Sequence, residues 1–110
     1  MILEIYMKKE RIGVNAIATY NTETKETVVK KGTIVSPDIS TAKTFKSTKS
    51  IIKSREGTVD KNNTVIKDVS FKSSSTAGNY VTGRSTDGMT AWVDKTGRKL
   101  KDIIKQGDVR

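Results

Sequence analysis

Residues 71–83 read FKSSSTAGNYVTG, and this run limits the architecture more than any other. A serine hydroxyl accepts a hydrogen bond from an orphan N–H at a helix start, so Ser73 or Ser74 can act as the cap. Gly83 can close the same helix in the left-handed conformation. Ala77, Tyr80 and Val81 supply its apolar stripe. A short helix to about residue 82 is therefore predicted, fixed at both ends. The next residues, TDGMTAW, place Asp87-Gly88 at a turn and the only tryptophan, Trp92, on a predicted strand over 89–94.

Upstream, the apolar pattern has a period of two. Residues 2–7 and 13–20 alternate as strands do, and 27–35 reads as another strand after the polar turn 21–26. The last two strands suggest an antiparallel hairpin. Gly32 inside the third strand suggests a bulge or a close backbone approach. Ser36-Pro37-Asp38 interrupts it, because proline cannot donate to a sheet ladder. Residues 41–55 are predicted as a helix, with Phe45, Thr48, Ile51 and Ile52 at helical spacing and Gly57 as its stop. Residues 64–71 form a strand candidate on which neither face is cleanly apolar. After a turn at 95–97, residues 99–106 are predicted as a terminal helix that packs Leu100, Ile103 and Ile104. The tail 107–110 is expected to fray.

Irregularly interleaved strands and helices, with at least one hairpin, predict an α+β fold: a mostly antiparallel sheet with two or three short helices on one face. At 110 residues, a single domain over 1–110 is expected, without internal repeat or linker. Aromatic residues make up only 5%, so the core must rely on aliphatic side chains.

The chain has no cysteine and no histidine. Disulfides, thiolate chemistry, the commonest metal ligand and every His-based triad are thereby removed. The carboxylates are scattered, with no pair at an acid–base spacing. No enzyme activity, cofactor or metal is expected. Glu4 breaks the short apolar start, which lacks the form of a signal peptide, and no run has the length of a membrane span. A cytoplasmic protein without a membrane partner is expected.

The net charge of +9, from 21 basic and 12 acidic residues, favours a polyanionic partner. Lys43, Lys46, Lys49 and Lys53 would share one side of the predicted 41–55 helix. Such a stripe is either a solvated face or a set of phosphate contacts. The Ser-rich helix start, with Ser73 and Ser75, is a candidate anion site, and Arg84, Lys95 and Arg98 follow it. These nine residues form the candidate nucleic-acid-binding set. Trp92 is either structural or a stacking platform. The competing expectation is a protein-interaction module, using a strand edge or the small-residue face of the 73–82 helix.

Phe71, Ser73-Ser74-Ser75, Ala77, Val81, Gly83, Asp87-Gly88 and Trp92 resemble, in one ungapped register, the core signature of the DUF4357 family. TVVKKGT upstream is similar to that family's strand and following Gly-Ser, and DKTGRKL to its closing turn and Leu. The resemblance covers about 14–100. Ser74 stands in place of the family's Pro, Gly78 in place of Ala, Asp87 in place of Asn and Met89 in place of a first Trp. The resemblance implies an uncharacterised accessory domain, often found beside GIY-YIG nuclease domains, in a nuclease or restriction–modification context. DNA or RNA, or a protein, would be its partner.

Overall fold

The computed structural model describes residues 1–107. Strands β1 (Ile2–Lys9), β2 (Val14–Asn21), β3 (Thr27–Val29) and β4 (Val69–Phe71) form one antiparallel sheet in the order β1-β2-β3-β4. Helices α1 (Thr48–Arg55), α2 (Ser74–Thr82), α3 (Gly88–Ala91) and α4 (Leu100–Gly107) complete the α+β fold, and a 3₁₀ turn (Glu10–Ile12) joins β1 to β2. Residues 108–110, most of the predicted frayed tail, lie outside the described residues.

The period-two pattern does what alternation dictates. Ile5 and Met7 of β1 and Val14, Ala16, Ala18 and Tyr20 of β2 point to one side and are buried. Register pairs Ile5 with Ala18 and Met7 with Ala16, so small residues face large ones. α2 covers this inner face with Ala77, Tyr80 and Val81, and Trp92 and Leu100 close the same core. The opposite face of the sheet carries Tyr6, Asn15, Ile17 and Thr19 toward solvent.

Three predicted elements are shorter than expected, each for a local reason. β3 ends at Val29 because the chain turns at 30–33, where the Thr33 N–H reaches the Lys30 carbonyl at 3.2 Å. The buried Thr33 hydroxyl takes the place of the missing strand. It accepts from the Ile17 N–H at 3.0 Å and donates to the Ile17 carbonyl at 3.1 Å. Gly32, with φ +95°, belongs to this turn rather than to a bulge within a strand.

The predicted strand at 64–71 divides at Asp68. Its carboxylate accepts from the Lys31 N–H and pairs with Lys30 Nζ, each at 2.8 Å, and only 69–71 joins the sheet. The preceding residues pair elsewhere: Ile34 bridges Thr64, and Val59 bridges Val65. Val65 is buried while Ile66 is exposed, which settles the inward face.

The helix predicted over 41–55 begins only at Thr48. Serine and threonine offer the backbone competing bonds in this stretch. The Thr48 hydroxyl donates to the Ser40 carbonyl at 2.6 Å, and the Ser40 hydroxyl accepts from the Ala42 N–H at 3.3 Å. Only Ile51 of α1 is buried, while Ile52 is exposed.

The predicted strand at 89–94 is a helical turn followed by extended chain. Asp87 caps α3, its carboxylate accepting from the Met89 N–H at 3.0 Å. Val93 then exchanges backbone bonds with Tyr6, at 2.7 and 2.9 Å, and adds one bridge to the outer edge of β1.

Gly83 is the tightest joint in the fold. Its φ is +72°, and a Cβ there would stand 2.2 Å from the Asp38 carbonyl oxygen. Gly57 has a similar φ of +74° with open space around it. Gly57→Ala is therefore expected to cost about 1 kcal/mol, the left-handed penalty alone. Gly83→Ala adds backbone overpacking and is expected to cost about 3 kcal/mol or more. Urea unfolding of both variants checks this; equal losses would show that the contact with Asp38 carries no weight.

Candidate nucleic-acid interface

The ends of α2 are both occupied by protein. At its start, the Ser73 hydroxyl accepts from the Thr76 N–H at 3.1 Å, as a cap should. The Ser75 hydroxyl accepts from the Gly88 N–H at 2.9 Å. Gly88 lies so close that a Cβ on it would fall 2.3 Å from the Ser74 carbonyl carbon and 2.5 Å from the Ser75 nitrogen. The indole Nε1 of Trp92 donates to the Ser74 carbonyl at 2.9 Å. Of the predicted anion-site serines, Ser73 thus spends its hydroxyl on the cap of α2 and Ser75 on Gly88 of α3, while the Ser74 carbonyl holds Trp92 against the helix. Trp92 is 0% exposed and is a core residue, so the stacking platform is excluded.

At the far end stands a residue that the sequence did not single out. Arg55, the last residue of α1, donates from Nε and Nη2 to the Tyr80 carbonyl at 3.1 and 2.7 Å, and from Nη1 to the Ser36 carbonyl at 2.7 Å. Its guanidinium lies 5.9 Å from the centre of the Tyr80 ring. Burial lowers its pKa from the ordinary value, yet an arginine this basic stays charged. A cation at the carbonyl end of a helix also complements the macrodipole.

Beyond Gly83, the chain folds back over the last turn of α2. The Asn79 side-chain oxygen accepts from the Thr86 N–H at 2.8 Å. The Thr82 and Thr86 hydroxyls, 2.6 Å apart, each lie 3.0 Å from the Arg84 carbonyl. Gly78 makes this fold-back possible, since a Cβ there would stand 2.8 Å from Thr86 Cγ2. The tight loop holds Arg84 exposed at the rim of a cleft of about 570 Å³. Lys9 and Arg11, at the end of β1 and in the 3₁₀ turn, line the other wall. Ser85, Thr86 and Thr90 add hydroxyl-bearing side chains to the lining, and Ile12 and Ala91 add apolar surface.

Two carboxylates also line the cleft, and both are engaged. Glu10 pairs with Lys8 at 3.6 Å, and the Asp87 carboxylate caps α3. Lys9, Arg11 and Arg84 form no ion pair within the described residues, where only three pairs occur.

Of the predicted cations, Arg84 alone lines this cleft. Lys43 and Lys46 precede α1, so the four-lysine stripe reduces to Lys49 and Lys53, one turn apart and exposed. Lys95 is exposed in the turn before α4. Arg98 is drawn into that turn, its Nε 3.3 Å from the Asp94 carboxylate. Lys9 and Arg11 were missed because nothing local in KKERIG distinguishes them from an ordinary polar connection.

The Asp94 carboxylate organises the closing turn. It accepts from the Thr96 hydroxyl at 2.6 Å and from the Thr96 and Arg98 N–H groups at 2.9 Å each. These bonds, the Thr96 hydroxyl foremost, lower its pKa from 3.8 to about 2.

An α+β domain with a cleft lined by Lys9, Arg11 and Arg84 together with two carboxylates, Glu10 and Asp87, is the class that the geometry defines. The chain belongs to the DUF4357 family, a domain of unknown function, whose model matches residues 6–104. No curated protein and no solved structure matches the chain. Among the described residues, no helix is long and apolar enough to cross a membrane.

Two stability predictions follow from the charged joints. Arg55→Lys keeps the charge but loses the planar fork, and is expected to cost about 2 kcal/mol by leaving carbonyls underpaired. Denaturant unfolding measures it, and a loss within experimental error would remove Arg55 from its structural role. Asp94 has a lowered folded-state pKa, so its contribution is present above the ordinary value of 3.8 and is lost as pH falls toward about 2. Asp94→Asn should therefore unfold at lower urea than the parent at pH 7, with the two converging near pH 2.

Proposed function

We propose that this domain is an accessory module that binds the phosphate backbone of nucleic acid, DNA foremost, beside a nuclease or restriction–modification enzyme. The observation that carries the reading is the convergence of Lys9, Arg11 and Arg84 on one cleft without ion-pair partners. Three cations outnumber the two carboxylates of the cleft, Glu10 and Asp87, and cations without an ion-pair partner are available to phosphate. Arg84 can fork onto two phosphate oxygens, and Lys9 acts as a point charge. The hydroxyls of Ser85 and Thr90 add donors that suit sugar and phosphate oxygens.

Lys49 and Lys53, exposed on α1, and Lys95, exposed in the closing turn, would add contacts outside the cleft. The module works by binding and performs no reaction of its own, in keeping with a chain without histidine or cysteine. Backbone contacts of this kind read charge and spacing rather than base identity.

Fluorescence anisotropy with labelled single- and double-stranded DNA and RNA tests the reading at low and near-physiological salt. Lys9→Glu/Arg11→Glu and Arg84→Ala should each weaken binding about tenfold or more, and each lost cation should lower the salt slope by about 1. Lys49→Glu/Lys53→Glu should have the smaller effect. Absence of binding by the parent protein at low salt would sink the proposal. Equal losses in the cleft and α1 variants would move the interface away from the cleft.

A further inference from the structure

The solvent face of the sheet is unusually apolar near its centre. Tyr6 pairs with Ile17 across β1 and β2, so both side chains point outward together. Ile34 bridges Asn15, which places it diagonally beside Ile17 on the same face. Thr33 and Val35 on either side of Ile34 are buried, confirming that Ile34 points out. Ile34 also bridges Thr64, and Ile66 follows two residues later on the same outward side. Ile17 and Ile34 are each 40% exposed and Ile66 is 47% exposed. Three isoleucines and a tyrosine thus line one face without a helix over them, whereas α2 covers the other side.

The surroundings of this row are cationic. Lys99 bridges Val93, which itself bridges Tyr6 at one end of the row, and Lys67 follows Ile66 at the other. Lys31 stands in the turn at 30–33, two residues before Thr33. None of these three lysines forms an ion pair within the described residues. Two carboxylates stand near these lysines: Glu4, on the same strand face as Tyr6, accepts from the Tyr6 hydroxyl, and Asp68 pairs with Lys30.

We infer that this face docks an acidic segment of a partner protein, one that alternates apolar side chains with carboxylates. The apolar row selects a polypeptide over nucleic acid, whose backbone offers nothing to bury against isoleucine. The lysines select an acidic one. A second copy of the chain is disfavoured, because it would bring another net charge of +9 to a cationic rim. The surface is distinct from the cleft that would hold phosphate, so the two bindings stand or fall separately.

The test is an NMR titration of isoleucine-methyl-labelled protein with two synthetic 12-residue peptides. One alternates Glu with Val and Phe; the other has Lys in place of Glu. The acidic peptide is expected to shift the Ile17, Ile34 and Ile66 methyls and to leave Ile52 of α1 unmoved. Ile17→Asp/Ile34→Asp should weaken it by about tenfold or more. Lys67→Glu/Lys99→Glu, which leaves the apolar row intact, should weaken it as well. Three outcomes would overturn the proposal: no shift by about 1 mM peptide, equal shifts with the lysine peptide, or shifts confined to other methyls. Sedimentation of the free protein as a dimer that Ile17→Asp dissociates would overturn it too, in favour of a second copy.

Discussion

The Arg55 guanidinium joins three parts of the chain at one point. It takes carbonyls from the end of α2 and from the loop after β3, and it is itself the end of α1. The Ser36 N–H returns a bond to the Val81 carbonyl at 2.8 Å, so the joint is closed from both sides. Tyr80 completes it. Its ring packs 4.9 Å from that of Phe71, and its hydroxyl meets the Thr58 hydroxyl at 2.7 Å. A lysine could supply the charge here but not several directed donors in one plane. The partners are carbonyl oxygens rather than a carboxylate, so the positive charge is spent on geometry and stays uncancelled.

The Arg84 wall of the cleft depends on α2 being held at both ends. With its carbonyl end tied to Arg55 and its amino end blocked by Gly88 and Trp92, the helix can neither slide nor rotate. Gly83 then leaves in one direction only, because the Asp38 backbone is pressed against it. The fold-back through Thr82 and Thr86 follows, and Arg84 is carried to the cleft. Lys9 and Arg11 arrive by an independent route, from the end of β1. Gly78 shows how far the loop depends on small volumes. The family's alanine at this position would press on Thr86, so glycine here goes with a closer approach of the Arg84 loop.

What could be read in the sequence was what is decided between near neighbours. α2 was legible from Ser73 to Gly83 because its caps lie within the same run. β1 and β2 were legible because alternation is a property of each strand alone. The antiparallel hairpin of β2 with β3 followed from the polar turn at 21–26 between two strand patterns, and the α+β class from the interleaving of strands and helices. Residues 41–47 were misjudged because Ser40 and Thr48 divert backbone groups that a helix would use. Residues 89–91 were misjudged because the role of Gly88 exists only in contact with Ser74 and Ser75. Arg55 was invisible for a related reason: its partners are main-chain carbonyls 19 to 26 residues away, and these carry no residue signature. The cleft shares that obscurity, since Arg84 meets Lys9 and Arg11 only through the completed fold.

The surplus charge can now be divided by what it does. Lys30 and Arg98 hold loops through Asp68 and Asp94, and Arg55 holds helices through carbonyls. These cations serve the fold. Lys9, Arg11 and Arg84 make no ion pair that the fold uses, and their mutual repulsion in one cleft is a cost without an internal return. Glu10 and Asp87 share that cleft, but Glu10 pairs with Lys8 and Asp87 caps α3, so neither closes an ion pair on these three cations. The same reasoning applies to Ile17, Ile34 and Ile66, which are exposed on a face where threonine and asparagine also occur. β1 links the two surfaces, with Tyr6 on the sheet face and Lys9 at the cleft. One strand therefore presents an apolar surface and a cationic one, and each would respond oppositely to salt: phosphate contacts weaken as ions screen them, while apolar contacts persist.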